Sequence, residues 1–178
     1  MSVQRARLQP SSEDEVIEVE SLVFRLIRPA DLASICTLTE TAEELYYCAP
    51  REAFPLQPAS LQRLIEARSD STVVEWNGLP VAFANFYRWQ EGYCALGNLM
   101  VRPASRGQGV AAQLVEYMCR LAWVRHEVAE VRVSCFNHNT AGLLLYSGLG
   151  FEPFGMEKRT GPAGEPLVLL HLRKTVRG

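Results

Sequence analysis

The apolar pattern of this 178-residue chain predicts an α/β fold: one mixed, mostly antiparallel sheet flanked by helices on both faces. Three observations carry that expectation. Apolar runs at residues 72–76 and 79–89 flank Asn77-Gly78, the strongest short signal for an antiparallel hairpin. A third run, 93–101, breaks at Pro103 and restarts past Gly109 as a helix whose apolar residues Val110, Ala111, Leu114, Val115, Met118, Leu121 and Ala122 share one face. A short apolar strand at 131–136 then feeds into an apolar helix at 139–149, so strand and helix alternate in the second half. This length holds one domain with a real core, and no second domain or internal repeat is visible.

From the N-terminus, residues 11–20 hold Glu13, Asp14, Glu15, Glu18 and Glu20 without a base, so residues 1–22 read as a solvated, flexible acidic extension and 23–178 as the domain. Residues 22–27 make the first strand. Pro29 sits in the first turn of a helix whose buried face is Leu32, Ile35, Leu38, Ala42 and Leu45. Residues 46–57 combine Tyr46, Tyr47 and Phe54 with Pro50 and Pro55, an irregular aromatic loop of the kind that carries binding residues, and a short helix at 60–68 follows. The hairpin, the third strand and a long helix to about residue 126 come next. Gly150 suits the stop of the 139–149 helix, and strands at 151–156 and 167–172 close the sheet around Gly161-Pro162-Ala163-Gly164.

A formal net charge of −2 makes a poor nucleic-acid binder. No apolar run reaches membrane-span length and the N-terminus lacks a hydrophobic stretch, which points to a cytoplasmic protein without membrane attachment. Cys36, Cys48, Cys94, Cys119 and Cys135 are odd in number and form no Cys-x-x-Cys pair, so they read as reduced, mostly core thiols. His126, His138 and His171 are scattered and read as packed or surface residues, and no metal site is expected.

Function enters at Arg106-Gly107-Gln108-Gly109-Val110-Ala111, where a strand ends and a helix opens. Gly107 and Gly109 remove the side chains that would keep a phosphate from the backbone, the first N–H groups of the helix point at the anion, and Arg106 adds a forked positive donor. A Walker loop needs Gly-Lys-Ser/Thr and a dinucleotide fold needs Gly-x-Gly-x-x-Gly; neither is present here. Downstream, Asn139 and Tyr146 are seven residues apart, nearly two helical turns, and so share a face about 10 Å apart along the axis.

As a pair, these segments resemble the coenzyme A site of the GNAT superfamily of N-acetyltransferases. Its hallmarks are Arg/Gln-x-x-Gly-x-Gly/Ala, matched by residues 106–111, and a later Asn-x-x-Ala-x-x-Leu-Tyr-x-x-x-Gly-Phe, matched at Asn139, Leu145, Tyr146, Gly150 and Phe151 with Gly142 in place of alanine. By order of elements the resemblance covers roughly residues 23–174. It implies the GNAT fold, with splayed central strands between residues 98–101 and 133–136, and acetyl-CoA as cosubstrate without a metal. Leu99, Met100 and Val101 would contact the pantetheine arm through main-chain groups, Arg106, Gly107, Gln108, Gly109, Val110 and Ala111 would cradle the pyrophosphate, and Asn139 would bond the arm while capping its own helix. Tyr146 would lie near the sulfur and protonate the departing thiolate.

The base that deprotonates an amine acceptor is less legible. Some relatives carry a glutamate twelve residues before the tyrosine, where this chain has Ser134, and Glu91 is the nearest acid by strand position. A water chain lined by Asn98 and Ser134 is therefore expected, with direct attack in a ternary complex preferred to an acetyl-Cys135 intermediate. Tyr46, Tyr47, Phe86 and Asn98, with Phe54, Tyr87, Trp89 and Tyr93 nearby, would line an acceptor pocket whose aromatic walls suit an apolar or cationic group. The acceptor would be a lysine, peptide or small-molecule amine and the protein a monomer or homodimer. The alternative is a non-catalytic acyl-CoA-binding sensor.

Overall fold

The computed structural model describes residues 22–89 and 92–175; the acidic extension and Glu91 lie outside them. Seven strands, β1 (Leu22–Leu26), β2 (Ser69–Trp76), β3 (Leu79–Arg88), β4 (Tyr93–Val101), β5 (Glu130–Phe136), β6 (Glu152–Thr160) and β7 (Pro166–Thr175), form one sheet in the order β1-β2-β3-β4-β5-β7-β6. Only the β4–β5 pair is parallel; the other pairs are antiparallel. Helices α1 (Leu32–Ile35), α2 (Ala42–Cys48) and α3 (Pro58–Glu66) cover one face, and α4 (Val110–His126) with α5 (Thr140–Gly148) the other. The mixed, mostly antiparallel sheet with helices on both faces is thus observed. Asn77 and Gly78 both take positive φ, 50° and 78°, which is the turn geometry the Asn-Gly hairpin signal requires.

Period-two alternation divides the strands between two cores. Val73, Phe83 and Met100 point to α1–α3 and join Ile35, Leu38, Leu45, Leu56 and Leu61. Val74, Ala82, Ala84, Phe86, Cys94, Val131, Val133 and Cys135 point the other way, against Leu114, Val115, Met118 and Ala122 of α4 and Tyr146 of α5. At about 25 cal/mol per Å2 of buried apolar surface, each fully buried leucine or phenylalanine here contributes about 2 to 3 kcal/mol.

One departure from the sequence reading is a helix break. A single helix was expected through Leu45, whereas the chain forms α1, a linker, and then α2. The linker is rich in β-branched hydroxyl residues, Thr37, Thr39 and Thr41, which compete with helical hydrogen bonds. Thr37 Oγ1 donates to Ser34 O at 2.7 Å, and Thr41 Oγ1 accepts from Glu44 N at 3.1 Å as the cap of α2. The break turns α2 over the open edge of β4, where Asn98 Nδ2 donates to Cys48 O at 2.8 Å.

The sheet opens between β4 and β5. Parallel pairing of β4 with β5 lasts only for Tyr93–Glu130, Cys94–Val131 and Ala95–Arg132, although both strands run on. Beyond that point β4 pairs with β3 alone, across register shifts between Phe83 and Asn85 and between Phe86 and Arg88, and Asn98 holds φ at +50°. These are the marks of bulges, which bend a strand and re-aim its side chains. The splay expected between residues 98–101 and 133–136 lies within this opening, which begins two residues earlier on β4.

Candidate active site

A cleft of about 1580 Å3 runs from the glycine loop, through the gap between β4 and β5, to the face covered by α2. At the loop end, Gly107 and Gly109 hold φ of +73° and +79°, which side chains rarely adopt. A Cβ on Gly107 would meet nothing within 4 Å, and one on Gly109 only Gln113 Nε2 at 3.9 Å, so the backbone faces open space at the N-terminus of the 17-residue α4. Gln108 turns back on the loop, its Nε2 donating to Ala104 O at 2.9 Å. Arg106 is engaged as well: Nε donates to Val101 O at 3.0 Å and Nη1 pairs with Glu44 of α2 at 2.5 Å. That guanidinium holds the Glu44 carboxyl below the usual carboxylate range.

At mid-cleft, α5 presents Tyr146, which packs edge-on against Phe151 with ring centroids 5.7 Å apart. Burial pushes its hydroxyl well above the ordinary tyrosine range, so it stays protonated at neutral pH. Asn139 caps α5, its Oδ1 accepting from Gly142 N at 3.0 Å. The structure also explains the glycine at 142. A Cβ there would lie 2.7 Å from Asn139 Nδ2 and 2.9 Å from Cys135 Sγ, so glycine makes room for the cap and the thiol together. Burial pushes the Cys135 thiol up to about 11, which leaves little thiolate for a covalent route at neutral pH. Of the β4 residues, Leu99 and Val101 line the gap, while the Met100 side chain is buried in the α1–α3 core.

Toward α2, Tyr46 and Tyr47 line the cleft; Tyr46 stacks on Phe136 at 4.9 Å and its hydroxyl donates to Thr160 O at 3.2 Å. Tyr87 and Tyr93 line it too. Phe86 does not. It is fully buried on the α4 face, edge-on to His126, because Tyr87 takes the cleft-facing position on β3; the substrate-binding expectation for Phe86 is corrected accordingly. Trp89 likewise packs against the α4 core. Asn98 is buried, and its Oδ1 has no protein partner among the described residues.

One functional candidate was missed. His171 of β7 sits opposite Ser134 of β5 in the strand register, and Ser134 Oγ lies 2.9 Å from His171 Nδ1. On the other side of the ring, Nε2 is 3.7 Å from Glu157 Oε1, and all three residues line the cleft. An imidazole therefore stands beside the position where some relatives keep their glutamate. The only sequence signal was the period-two pattern of the last strand, which points His171 to the face opposite Leu170 and Leu172. Among the described residues, no group of three or more His, Cys, Asp or Glu is arranged to hold a metal, and no helix is long and apolar enough to cross a membrane.

The sequence model of the Acetyltransferase (GNAT) family matches residues 37–151. Among solved structures, the ribosomal-protein-alanine N-acetyltransferase from Brucella melitensis superposes with a TM-score of 0.72 at 23% identity, over 86% of this chain and 99% of that one. The Salmonella typhimurium protein yncA, solved with its cofactor acetyl-CoA, gives 0.73 at 21% identity, over 88% and 94%. An N-acetyltransferase from Staphylococcus aureus Mu50 gives 0.71 at 18% identity, over 88% and 99%. At these identities the likeness is one of fold. No curated protein matches the sequence.

Proposed function

Since the chain belongs to the GNAT acetyltransferase family, which draws its acetyl group from acetyl-CoA, we propose that it transfers that acetyl group to a primary amine by direct attack in a ternary complex. The observation that carries this reading is the cleft itself, which joins an open glycine loop to a gap in the sheet and ends beside a protonated phenol and a hydroxyl–imidazole pair. The backbone N–H groups of residues 107–111 and the α4 dipole bind the pyrophosphate. The unpaired edge of β4 at Leu99, Met100 and Val101 offers main-chain groups to the arm and to the developing oxyanion. Asn139, which caps α5, bonds the arm.

In the chemical step, the acceptor ammonium gives one proton to Ser134 Oγ while the Ser134 hydroxyl proton passes to His171 Nδ1. The freed amine attacks the thioester carbonyl carbon, and a C–N bond forms as the C–S bond breaks. Tyr146 protonates the leaving sulfur and is reloaded by the second proton lost from nitrogen. One proton remains on His171, beside the Glu157 carboxylate, and leaves to solvent. An imidazole accepts a proton only in its neutral form, which is the form this step requires of His171. Glu157, itself paired with Arg159, and Ser134 are the charged and polar groups set against the ring, with Phe154 6.0 Å away.

Thiol release from acetyl-CoA across a panel of amines tests transfer, and the pH profile of His171→Asn tests the proton path. The variant is expected to lose about 10²-fold in kcat/KM. A parental rate and profile would place the base elsewhere. Coenzyme binding without turnover on any amine would favour the sensor alternative.

A further inference from the structure

At the acceptor end of the cleft stands a cation that forms no ion pair with the described residues, although Glu52 acts on it from farther off. Arg68, just beyond α3, donates from Nη1 to the neutral Asn85 Oδ1 at 3.2 Å and lies 5.6 Å from the centroid of the Tyr87 ring; no carboxylate is in ion-pair range. Burial pulls its pKa below the usual arginine range. One neutral acceptor leaves most of the five guanidinium donors without a protein hydrogen bond in a residue that lines the cleft, and Glu52 offsets the charge only from beyond ion-pair distance. The sheet is nevertheless shaped to hold it. A Cβ on Gly97 would lie 2.8 Å from Arg68 Nη1 and 2.8 Å from Tyr87 Cδ1, so only glycine at that position lets the guanidinium rest over β4.

The next residue supplies the complement. Asn98 is 2% exposed and lines the cleft, and with Nδ2 committed to Cys48 O its Oδ1 is left as a buried acceptor without a protein partner. In a regular strand, neighbours face opposite ways. Here the bulge turns Asn98 to the α2 side, the same side on which the space over Gly97 holds Arg68. A cation without an ion-pair partner and an orphaned acceptor therefore stand at consecutive residues of β4, over Gly97 and on Asn98. They match an anion and an ammonium carried on adjacent carbons.

Building on the transferase reading above, we propose that the acceptor is a free α-amino acid, its carboxylate bound by Arg68 and its ammonium by Asn98 Oδ1 on the way to Ser134 and His171. The planar fork of arginine fits a carboxylate through two parallel hydrogen bonds. The aromatic walls of Tyr46, Tyr47, Tyr87 and Tyr93 then face the side chain of the amino acid, and the charge recognised at this end is negative rather than the cationic or apolar group that the aromatics alone suggested.

Initial rates of thiol release with free L-amino acids, their carboxamides and the matching decarboxylated amines test the proposal in the wild type, Arg68→Gln and Arg68→Lys. At least one amino acid should exceed its carboxamide by about 10- to 100-fold in kcat/KM, the range expected for a charge-assisted pair. The ratio should fall toward one in Arg68→Gln, mainly through KM, and recover in part in Arg68→Lys, while calorimetric acetyl-CoA affinity and the melting temperature report that the fold is kept. Should Arg68→Gln not fold, Gly97→Ala displaces the guanidinium without deleting it and should lower the same ratio. Equal use of acid and carboxamide by the wild type, or a ratio that survives both variants, overturns the proposal and leaves the transferase reading standing. Failure of every amine while acetyl-CoA still binds overturns both.

Discussion

Tyr146→Phe separates chemistry from packing more cleanly than any other substitution in this cleft. The ring is 8% exposed and fixed against Phe151, and the hydroxyl has no hydrogen-bond partner among the described residues, so its removal orphans no protein group. Stability should change by less than about 1 kcal/mol. Catalysis should not be spared. In water a phenol, with a pKa near 10, is a weaker acid than a thiol, near 8.5, and protonating a thiolate from tyrosine looks uphill. The cleft narrows that gap, because burial weighs on any charge shed there: it pushes the neighbouring thiols of Cys135 and Cys48 up to about 11 and about 12, and a leaving thiolate meets the same surroundings. The phenol is raised too, so some uphill cost remains, and the expected loss falls in the lower part of the range for general acid catalysis. We expect kcat to drop by about 10²- to 10³-fold, equivalent to about 3 to 4 kcal/mol in the barrier. Steady-state thiol release gives kcat, and calorimetry should find acetyl-CoA affinity within about twofold of the parent. A kcat within threefold of wild type across the pH range would mean that water serves as the acid or that the ring is packing alone.

Three further outcomes follow from named contacts. Gly109→Glu forces a side chain into φ of +79° and sets a carboxylate over the loop, so acetyl-CoA affinity should fall at least about tenfold; unchanged affinity by calorimetry would remove the pyrophosphate from this segment. Glu44→Gln frees Arg106 from an ion pair whose partners are 43% and 27% exposed and so worth only about 0.2 to 1 kcal/mol, and it should tighten acetyl-CoA binding about 1.5- to 5-fold; weaker binding would show that the pair orders the site. Asp31 is held below the ordinary carboxylate range chiefly by Arg25, at 2.7 Å, with the Arg28 N–H assisting, so its stabilisation is complete above the unfolded pKa of about 3.9 and fades as pH falls through the lower folded value. Asp31→Asn should cost about 2 kcal/mol in urea unfolding at neutral pH and flatten the loss of stability below about pH 4; an unchanged acid dependence would remove this pair from the account.

The features that were legible in the sequence are those fixed by local chemistry. An Asn-Gly turn, two glycines before a helix and an asparagine cap each demand a particular backbone, and the chain adopts it at Asn77-Gly78, at residues 107–109 and at Asn139. The helix break at residues 36–41 is also local, and was missed because apolar spacing continues across it from Ile35 and Leu38 to Ala42 and Leu45 while the threonine hydroxyls end the helix.

The acceptor face resists reading for a different reason: its members meet only through register. Simple alternation does not say which of Phe86 and Tyr87 faces the cleft, since the register shifts that bracket them reset the count, and a one-residue slip carries every later side chain to the other face. His171 and Ser134 are 37 residues apart in the chain and become neighbours because β7 inserts between β5 and β6, an order that no local pattern specifies. Arg68, read in sequence, is an unremarked base at the end of a short helix, where cations commonly interact with the last carbonyls. What sets it apart is the missing side chain on the strand below it, at Gly97, and the missing partner on Asn98. In the proposed reading, coenzyme recognition relies on backbone groups and therefore leaves a motif, whereas acceptor recognition relies on side chains gathered from the α3–β2 link, β4, β5 and β7 and leaves none. A chain can thus declare its cosubstrate in a few consecutive residues while its acceptor has to be inferred from unsatisfied charge and unsatisfied hydrogen bonds.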